Sequence, residues 1–453
     1  MTNQQTSLLH RYGEARLPRY TSYPTAPLFS PSVTAETHGE WLGQVNPADP
    51  ASLYFHIPFC RSMCWYCGCH TTISARDEPI HAYLTALRAE IDTVTARLPQ
   101  GQRVGHIHFG GGTPTIMPAA DLVELMARLR GRVDFAPGAE LAIEIDPRRL
   151  EDAMLDALAE GGLNRASLGV QTFDPKVQLA INRIQPLKDT RAAVEGLRRV
   201  GVAQVNFDLI YGLPHQTVAS CIDTVEKAIS LRPNRLAVFG YAHVPDFKKH
   251  QRLIDTDALP DSVARVEQAT AIADALVAAG YVQIGLDHFA LPEDELSVAQ
   301  AEGRLRRNFQ GYTTDECDTL IGFGASAIGQ TPLGYVQNDV AINRYSRAVM
   351  EGGLATVRGY RLTDDDRLRA AVIERLMCDF AVDIPAICAR FDADPATLLS
   401  GNARLDTALA EGLAELKDGR LRMLGDLRFL VRVVAAAFDA HLEAAPRRFG
   451  QTA

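Results

Sequence analysis

LYFHIPFCRSMCWYCGC, residues 53–69, joins an apolar strand to a loop that carries four cysteines. Three of them, Cys60, Cys64 and Cys67, have the spacing C-x3-C-x2-C, and Cys69 follows two residues later. This crowding favours an iron–sulfur cluster, because three thiolates from one loop can hold a [4Fe–4S] cube whose fourth iron has no protein ligand. An open iron of this kind can do chemistry, so the loop predicts an enzyme.

Two other interpretations of the cysteines stay open at this point. Structural zinc needs four nitrogen or sulfur ligands, and His56 and His70 flank the loop and could complete such a set. Disulfides are disfavoured because we find no apolar signal segment at the start of the chain. The cysteines outside the loop are also scattered, at Cys221, Cys317, Cys378 and Cys388.

The composition is that of an ordinary soluble globular protein. With 453 residues and 47% hydrophobic content, the chain can bury a large core in two or three structural units. No run approaches the roughly 20 apolar residues of a membrane span, and the apolar stretch 429–438 is interrupted by Arg432. We therefore expect a cytoplasmic protein. The net charge of −9 disfavours nonspecific nucleic-acid binding, and an anionic substrate must meet a local basic cluster.

Short β-rich runs alternate with amphipathic runs between residues 53 and 241, and this alternation indicates a parallel sheet. The predicted strands are 53–57, 104–109, 141–145, 166–170, 205–210 and 236–241. The predicted helices between them are 81–98, 121–129, 150–160, 189–200 and 217–231. Periodicity does not separate an open sheet from a closed or partial barrel.

Polar residues stand at the carboxyl ends of successive predicted strands, as in a barrel whose chemistry gathers at one mouth. They are the cysteine loop, Gly110-Gly111-Gly112-Thr113-Pro114, Glu144 with Asp146, Gln171, and Asp208. A row of polar groups in such places is costly unless it is used. The glycines predict a backbone ledge for a ligand's carboxylate or amine, or a plain turn.

Glu144 and Asp208 are carboxylates on strands otherwise built of Ile, Val and Leu. As acceptors of two hydrogen bonds each, they suit the hydroxyls of a ribose. The alternative is a structural role, in which they cap a helix or pair with Arg165 or Arg183.

The strand–helix alternation lapses beyond residue 286, and we interpret residues 287–335 as loops that close over the mouth. From about Thr363 the chain turns helical again, with a hairpin around Asp418-Gly419, and resembles a winged helix. Residues 361–453 hold 13 basic and 15 acidic side chains, so we expect a cap on the barrel rather than a DNA reader. The predicted units are 1–45, 46–285, 286–360 and 361–453.

Basic residues offer candidate contacts for an anionic substrate. Arg304, Arg306 and Arg307 form the densest basic patch in the middle of the chain. A solvated helix face would also explain them, whereas a substrate with several carboxylates would give them a function. Arg19, with Tyr20 and Tyr23, lies on an extended arm that could fold into the mouth.

The cysteine loop, followed by a Gly-Gly-Thr-Pro strand end, resembles the radical S-adenosylmethionine superfamily. Further motifs closely resemble the oxygen-independent coproporphyrinogen III oxidases, from about Tyr12 to the C-terminal helices. These are Pro18-Arg19-Tyr20-Thr21-Ser22-Tyr23-Pro24-Thr25, Cys67-Gly68-Cys69, Gly169-Val170-Gln171, Asp208-Leu209-Ile210-Tyr211-Gly212-Leu213-Pro214 and Asn308-Phe309-Gln310-Gly311-Tyr312. The related haem-chaperone branch typically lacks Cys69 and the Pro18–Thr25 arm.

The resemblance implies a partial (β/α)6 TIM-like barrel with an N-terminal arm and a mostly helical, winged-helix-like C-terminal domain. It also implies an oxidoreductase of haem and porphyrin biosynthesis. In this family Cys60, Cys64 and Cys67 would hold a [4Fe–4S] cluster, and S-adenosylmethionine would yield a 5′-deoxyadenosyl radical. That radical oxidatively decarboxylates two propionates of coproporphyrinogen III to vinyl groups, giving protoporphyrinogen IX. The protein would position the reacting groups and exclude water.

The resemblance further implies two S-adenosylmethionine molecules. Tyr54, Gly111, Glu144 and Ile328 would contact the first, with Tyr54 and Glu144 as catalytic candidates. The second would contact Tyr66, Gly112, Thr113, Gln171, Arg183, Asp208 and Ala242. The expected partners are coproporphyrinogen III and an electron donor such as flavodoxin or ferredoxin, with no nucleic acid and a monomeric protein. Arg19, Arg306 and Arg307 are the candidate propionate contacts.

Two further functions compete with this one. A haem carrier could use the same scaffold without turnover, although Cys69 and the N-terminal arm count against it. A zinc-stabilised regulator with a winged-helix tail would bind zinc, no iron, and DNA with a steep salt dependence.

Overall fold

Strands and helices alternate through the first half of the chain. The computed structural model describes residue 8, residues 11–13 and residues 15–443. Its strands there are β1 (Ala51–Ile57), β2 (Phe59–Cys60), β3 (Thr72–Ile73), β4 (Arg103–Gly111), β5 (Asp134–Ile145), β6 (Arg165–Gln171), β7 (Gln204–Tyr211), β8 (Arg235–Gly240), β9 (Val282–Ile284), β10 (His288–Ala290), β11 (Arg306–Asn308), β12 (Gly311–Thr313), β13 (Thr319–Phe323), β14 (Ile328–Thr331), β15 (Gly334–Asn338), β16 (Thr356–Arg361), β17 (Ala381–Asp383), β18 (Ala414–Lys417) and β19 (Arg420–Met423).

The α-helices lie between these strands and dominate the C-terminal part. They are α1 (Ala35–Gly43), α2 (Glu78–Thr95), α3 (Ala119–Arg130), α4 (Asp152–Gly161), α5 (Pro175–Ala180), α6 (Leu187–Arg199), α7 (Val218–Ser230), α8 (Ser262–Ala278), α9 (Glu295–Ala301), α10 (Ile342–Met350), α11 (Asp364–Asp379), α12 (Ile384–Arg390), α13 (Ala396–Leu399), α14 (Ala403–Ala410) and α15 (Val431–Ala435). In the described residues, no helix combines the length and the apolar character needed to cross a membrane.

One open sheet of twelve strands has the order β16-β15-β14-β13-β1-β4-β5-β6-β7-β8-β10-β9. Strands β1, β4, β5, β6, β7 and β8 are parallel neighbours, and they match the six predicted strands. The prediction of a parallel α/β core is therefore confirmed. Because the carboxyl ends of all six strands lie at one edge, the polar residues that follow them come together there.

The interpretation of residues 287–335 as loops is wrong for much of that segment. Strand β13 joins the core sheet in parallel with β1, and β14 and β15 extend the sheet antiparallel beside it. These strands have four or five residues each, so their periodicity is too short to be recognised without the neighbour that completes their hydrogen bonds.

Alternation along β1 divides the sheet into a core face and a site face. Leu53, Phe55 and Ile57 are at most 1% exposed, and the ring of Phe55 stacks on Phe109 and Phe323 with centroids 4.8 and 4.7 Å apart. Burying a side chain of this size contributes roughly 2–3 kcal/mol. Tyr54 and His56 have the opposite parity and therefore point to the other face.

The C-terminal part follows the winged-helix pattern that the sequence predicts. Strands β17, β19 and β18 form a three-stranded antiparallel sheet beside α11, which begins with a capping box between Thr363 and Asp366. The predicted hairpin is present, and Asp418 and Gly419 both have positive φ, 52° and 76°, as a two-residue turn of this kind requires.

The N-terminal arm packs against this C-terminal unit. Tyr20 and Tyr23 are buried in the same apolar cluster as α11 and α15. The hydroxyl of Tyr20 donates to Asp439 at 3.1 Å, and the amide of Ala440 donates to the hydroxyl of Tyr23 at 2.9 Å. The four predicted unit boundaries stay a prediction, and this packing argues for treating the arm and the C-terminal unit together.

Candidate functional site

The cysteine loop begins at the end of β2 and ends at β3, the strand that pairs with β2. Strands β2 and β3 pair in parallel, with Cys60 opposite Ile73, so the loop between them is closed at its base. The amide of Trp65 donates to the carbonyl of Ile181 at 2.9 Å, and the ring of His250 contacts the carbonyl of Cys67 at 2.8 Å. The loop is therefore held from two sides by distant segments of the chain.

The cysteine thiols of this loop are free and differ in their surroundings. Cys64 is buried, Cys60 and Cys67 are half-buried, and Cys69 is exposed. The Cys60 sulfur lies 3.3 Å from the hydroxyl of Thr71 and 3.4 Å from that of Thr113. Burial raises the pKa of Cys60, whereas hydrogen bonding from Cys69 lowers the pKa of Cys67 to about 6.

Cations face Cys64. Arg183 Nη1 donates to its sulfur at 3.4 Å, and Arg148 Nη2 lies 3.8 Å from the same atom. Among the described residues, no three ligand-type side chains converge on the position of a single ion. In a [4Fe–4S] cube each of three cysteine thiolates binds a different iron, so three cysteines of one loop suit such a cluster.

The glycines after β4 bring bare backbone up to this loop. Gly111 has φ 115°, and a Cβ there would lie 2.8 Å from the ring of His56. A Cβ on Gly112 would lie 2.5 Å from the carbonyl of Phe59, which is closer than atoms tolerate. The prediction of a backbone ledge beside the cysteines therefore agrees with the geometry, and a larger residue would push the ledge away from the loop.

A hydrogen-bonded row runs along the site face of β1, β4 and β5. The Tyr54 hydroxyl lies 3.0 Å from Nδ1 of His56, and its ring stacks on His108. His108 Nε2 is 3.3 Å from Glu144 Oε1, and the amide of Gly111 donates to Glu144 Oε2 at 3.1 Å. Burial acts to raise the pKa of Glu144, but these bonds hold it below its usual range, so the carboxylate stays charged.

Asp208 lies within β7, opposite Gly169 of β6, and Arg183 follows α5 and contacts the same glycine. Burial, followed by the charge of Glu144, raises the pKa of Asp208 to about 7, and Ser167 donates to its Oδ2 at 3.2 Å. Arg183 donates to the carbonyl of Gly169 at 2.7 Å and contacts Asp146 at 3.4 Å. The alternative pairing of Glu144 or Asp208 with Arg165 or Arg183 is not what the structure shows, because Arg183 pairs with Asp146 and Arg165 with Glu140.

These groups surround a cavity of about 550 Å³, here called the cluster cavity. The predicted site residues that line it are Cys60, Cys64, Tyr66, Cys67, Gly111, Gly112, Thr113, Glu144, Gln171, Arg183 and Asp208. Three predicted residues lie outside its wall. Tyr54 joins through His56, Ala242 lines the neighbouring cavity, and Ile328 lies on β14 with its carbonyl against Gly322, the strand partner of Tyr54.

A second cavity of about 1160 Å³, here called the arginine cavity, adjoins the first at Phe239, which lines both. Among the described residues, six arginines from four parts of the chain line it: Arg16, Arg19, Arg265, Arg307, Arg428 and Arg432. Burial, followed by the charge of Arg19, lowers the pKa of Arg432 to about 10. Nε and Nη1 of Arg307 are buried and have no hydrogen-bond partner among the described residues. The cavity is therefore prepared for an anion with several charges.

Two of the three predicted propionate contacts, Arg19 and Arg307, line this cavity. Arg306 does not, since it pairs with Glu374 at 3.0 Å and Asp318 at 3.5 Å. Arg304 likewise pairs with Glu302 and Glu316. Sequence reasoning missed the other cavity arginines because they form no dense basic run and come from distant parts of the chain.

The Radical SAM superfamily model matches residues 54–228, and the HemN C-terminal domain model matches residues 362–423. An oxygen-independent coproporphyrinogen III oxidase of Bradyrhizobium diazoefficiens is 59% identical over 432 residues, which are 95% of this chain and 96% of that protein. The chain belongs to this family of oxidases. A Pseudomonas aeruginosa member is 42% identical and covers 97% of this chain and 96% of its own.

A solved structure of the family superimposes over nearly the whole chain. The radical SAM enzyme coproporphyrinogen III oxidase (HemN) from Escherichia coli has a TM-score of 0.89 and 39% identity, covering 94% of this chain and 98% of that one. Membership of the radical SAM superfamily implies a [4Fe–4S] cluster and S-adenosylmethionine. The free thiols of Cys60, Cys64 and Cys67 and the glycine ledge beside them are consistent with both groups.

Within the oxidase fold, several residues contribute to the site without having been predicted as ligands. His108 orients Glu144, and Arg148 pairs with Asp146 while it approaches Cys64. Ser167 completes the surroundings of Asp208. His108 and Ser167 have the site-face parity of their strands, and this is the signal by which sequence alone could have found them.

Proposed function

We propose that this protein oxidatively decarboxylates two propionate side chains of coproporphyrinogen III to vinyl groups, giving protoporphyrinogen IX in haem biosynthesis. The observation that carries this proposal is that Phe239 lines both the cluster cavity and the arginine cavity, so the two lie side by side. A radical must form within reach of the carbon that it attacks, and a substrate with four propionates needs cations beside that place. The two adjoining cavities meet both requirements.

Cys60, Cys64 and Cys67 would hold the cluster, and Tyr54, Gly111, Glu144 and Ile328 would position S-adenosylmethionine. When bound, these groups supply the 5′-deoxyadenosyl radical that removes a hydrogen from a propionate. Glu144 is kept charged by His108 and Gly111, so it can accept hydrogen bonds from a ribose. The arginine cavity would orient the propionate towards the cluster cavity.

We also propose the second S-adenosylmethionine site, formed by Tyr66, Gly112, Thr113, Gln171, Arg183, Asp208 and Ala242. Its support is the proximity of these groups. Six of the seven line the cluster cavity. Gln251 links Ala242 to them, because its amide donates to the carbonyls of Ala242 at 3.3 Å and Tyr66 at 2.9 Å.

The electron for this reaction would come from an acidic carrier such as flavodoxin or ferredoxin, acting on a cytoplasmic monomer. The surface over the cysteine loop supports this partner, and we call it the basic collar. Lys248 donates to the carbonyl of Cys69 at 2.8 Å, and Lys249 and Arg252 beside it are exposed. Apolar side chains are exposed in the segments around the loop: Ile73, Leu179, Ile184, Phe247, Leu253 and Val340. A surface with both properties is typical of a protein contact.

Anaerobic reconstitution with iron, sulfide, reductant and coproporphyrinogen III tests the proposed function. We expect 5′-deoxyadenosine, methionine and a divinyl porphyrinogen, each identified by mass spectrometry. Cys64→Ser should abolish all three products, whereas Cys317→Ser, a cysteine outside the loop, should retain them. Absence of methionine and 5′-deoxyadenosine from the wild-type reaction would overturn the proposal.

A further inference from the structure

Asp287 places a half-buried carboxylate in the wall of the arginine cavity. It precedes β10, and its carbonyl accepts a hydrogen bond from the amide of Val238 at 2.6 Å, next to Phe239 at the junction of the two cavities. Asp246, Asp261 and Asp274 also line the arginine cavity, but these residues are exposed. Asp287 therefore differs from them in being less exposed to solvent.

The two carboxylate oxygens of Asp287 differ in their hydrogen bonding. His288 Nδ1 lies 2.7 Å from Oδ1, whereas Oδ2 accepts no hydrogen bond from the described residues. Burial acts to raise the pKa of Asp287, but His288 and the charges of Arg307 and Arg19 lower it to about 2. Oδ2 of Asp287 is thus an ionised hydrogen-bond acceptor that a ligand can use. It lies among arginines that can themselves bind carboxylates.

A porphyrinogen presents two kinds of polar group to such a cavity. Its propionates are anions at the edge of the ring, and its four pyrrole N–H groups are donors at the centre. Because saturated bridges join the pyrroles, the ring can pucker and direct several N–H groups to one side. Burying those donors without an acceptor would weaken binding. A carboxylate oxygen can accept more than one of them.

We propose that Oδ2 of Asp287 accepts the pyrrole N–H groups of the substrate while the surrounding arginines bind its propionates. This inference rests on the proposed function. It makes Asp287 a residue that selects the reduced, flexible porphyrinogen over the flat, oxidised porphyrin. The oxidised ring has only two N–H groups, which lie in its plane and cannot converge on an oxygen above it.

The competing role for Asp287 is that of a counter-ion for the arginines. The two roles give opposite results in Asp287→Asn. Loss of a counter-ion leaves the cavity more positive, so coproporphyrinogen and coproporphyrin would both bind as well as before or more tightly. Loss of the pyrrole acceptor raises the Kd of coproporphyrinogen roughly ten- to a hundredfold, as expected for a hydrogen bond to a charged group, and leaves coproporphyrin unaffected.

The experiment measures both affinities on the reconstituted protein without reductant. Fluorescence of coproporphyrin III gives its Kd directly, and anaerobic displacement of that porphyrin gives the Kd of coproporphyrinogen III. Asp274→Asn is the matched control, because it removes the same charge from an exposed position of the same cavity wall. A selective loss of coproporphyrinogen affinity in Asp287→Asn supports the inference, and an unchanged ratio of the two affinities overturns it.

Asp287→Glu is a second variant, for the case that Asp287→Asn does not fold. It keeps the charge and moves the carboxylate by one methylene. It should raise the KM for coproporphyrinogen several-fold with a smaller change in kcat, and an unchanged KM would contradict the inference. A wild-type protein that binds neither ring would instead contradict the proposed function. A wild type that turns over normally, with Asp287→Asn unchanged in selectivity, would contradict only the role of Asp287.

Discussion

Arg183 joins Cys64 to the far wall of the cluster cavity. Its Nη1 donates to the Cys64 sulfur at 3.4 Å, and its Nη2 donates to the carbonyl of Gly169 at 2.7 Å. The guanidinium fork makes both bonds at once, which an ammonium group on a flexible stem does not reproduce. Arg183 therefore links the cysteine loop to β6.

Replacing Arg183 with methionine should lower the rate of 5′-deoxyadenosine formation roughly ten- to a hundredfold. The variant loses charge-assisted hydrogen bonds, each contributing about 1.5–3 kcal/mol, and leaves Asp146 with only Arg148. The rate is measured with dithionite as reductant, together with iron content. Arg199→Met, at an exposed position on α6, is the control and should match the wild type. Equal rates in both variants would contradict this role for Arg183.

Arg307 and Arg306 give a matched pair for the substrate site. Arg307→Met should raise the KM for coproporphyrinogen III roughly ten- to a hundredfold, because a half-buried cation of the cavity would no longer face a propionate. Arg306→Met should change KM by less than a few-fold, since Arg306 pairs with Glu374 and Asp318 instead. Steady-state kinetics under anaerobic conditions give both values. A larger effect from Arg306 than from Arg307 would show that the substrate lies elsewhere.

Asp208 should make the protein less stable as pH rises towards neutrality. Burial raises its folded-state pKa from 3.8 to about 7, so between about pH 4 and 7 the folded state binds more protons than the unfolded state. Its contribution to the free energy of unfolding therefore falls across that window, by at most about 4 kcal/mol. Asp208→Asn removes this dependence, and urea unfolding of the cluster-free protein from pH 4.5 to 7.5 measures it.

Asp223→Asn, on the exposed face of α7, is the control for this titration and should leave the pH profile of the wild type unchanged. If Asp208→Asn and the wild type lose stability in parallel as pH rises, Asp208 is not the group responsible.

Charge reversal in the basic collar should separate electron delivery from chemistry. Lys249→Glu places an anion beside the cysteine loop and should slow turnover driven by flavodoxin several-fold, with a smaller effect at high salt. Turnover driven by dithionite should stay unchanged, because a small reductant needs no docking surface. Lys188→Glu, exposed on α6, serves as the control. Equal losses with both reductants would argue against a carrier contact at this surface.

Some features of this protein follow from local sequence patterns, and others follow only from contacts between distant segments. The six core strands, the cysteine loop and the glycine ledge could be predicted from sequence, because alternation, helix periodicity and cysteine spacing are local properties of the chain. The placement of β13 beside β1 could not, since a short strand from residue 319 onward is defined by hydrogen bonds to a partner more than 250 residues away.

Two neighbouring arginines beside the arginine cavity show the same limit of prediction from sequence. Arg306 and Arg307 are identical in the sequence pattern, yet successive residues of a strand point to opposite faces, so one meets Glu374 and the other meets the cavity. Sequence by itself determined the chemistry that the cysteine loop can support. Only the tertiary structure decided which cations gather beside it, because Arg16 and Arg432 come together through packing of the N-terminal arm on the C-terminal unit.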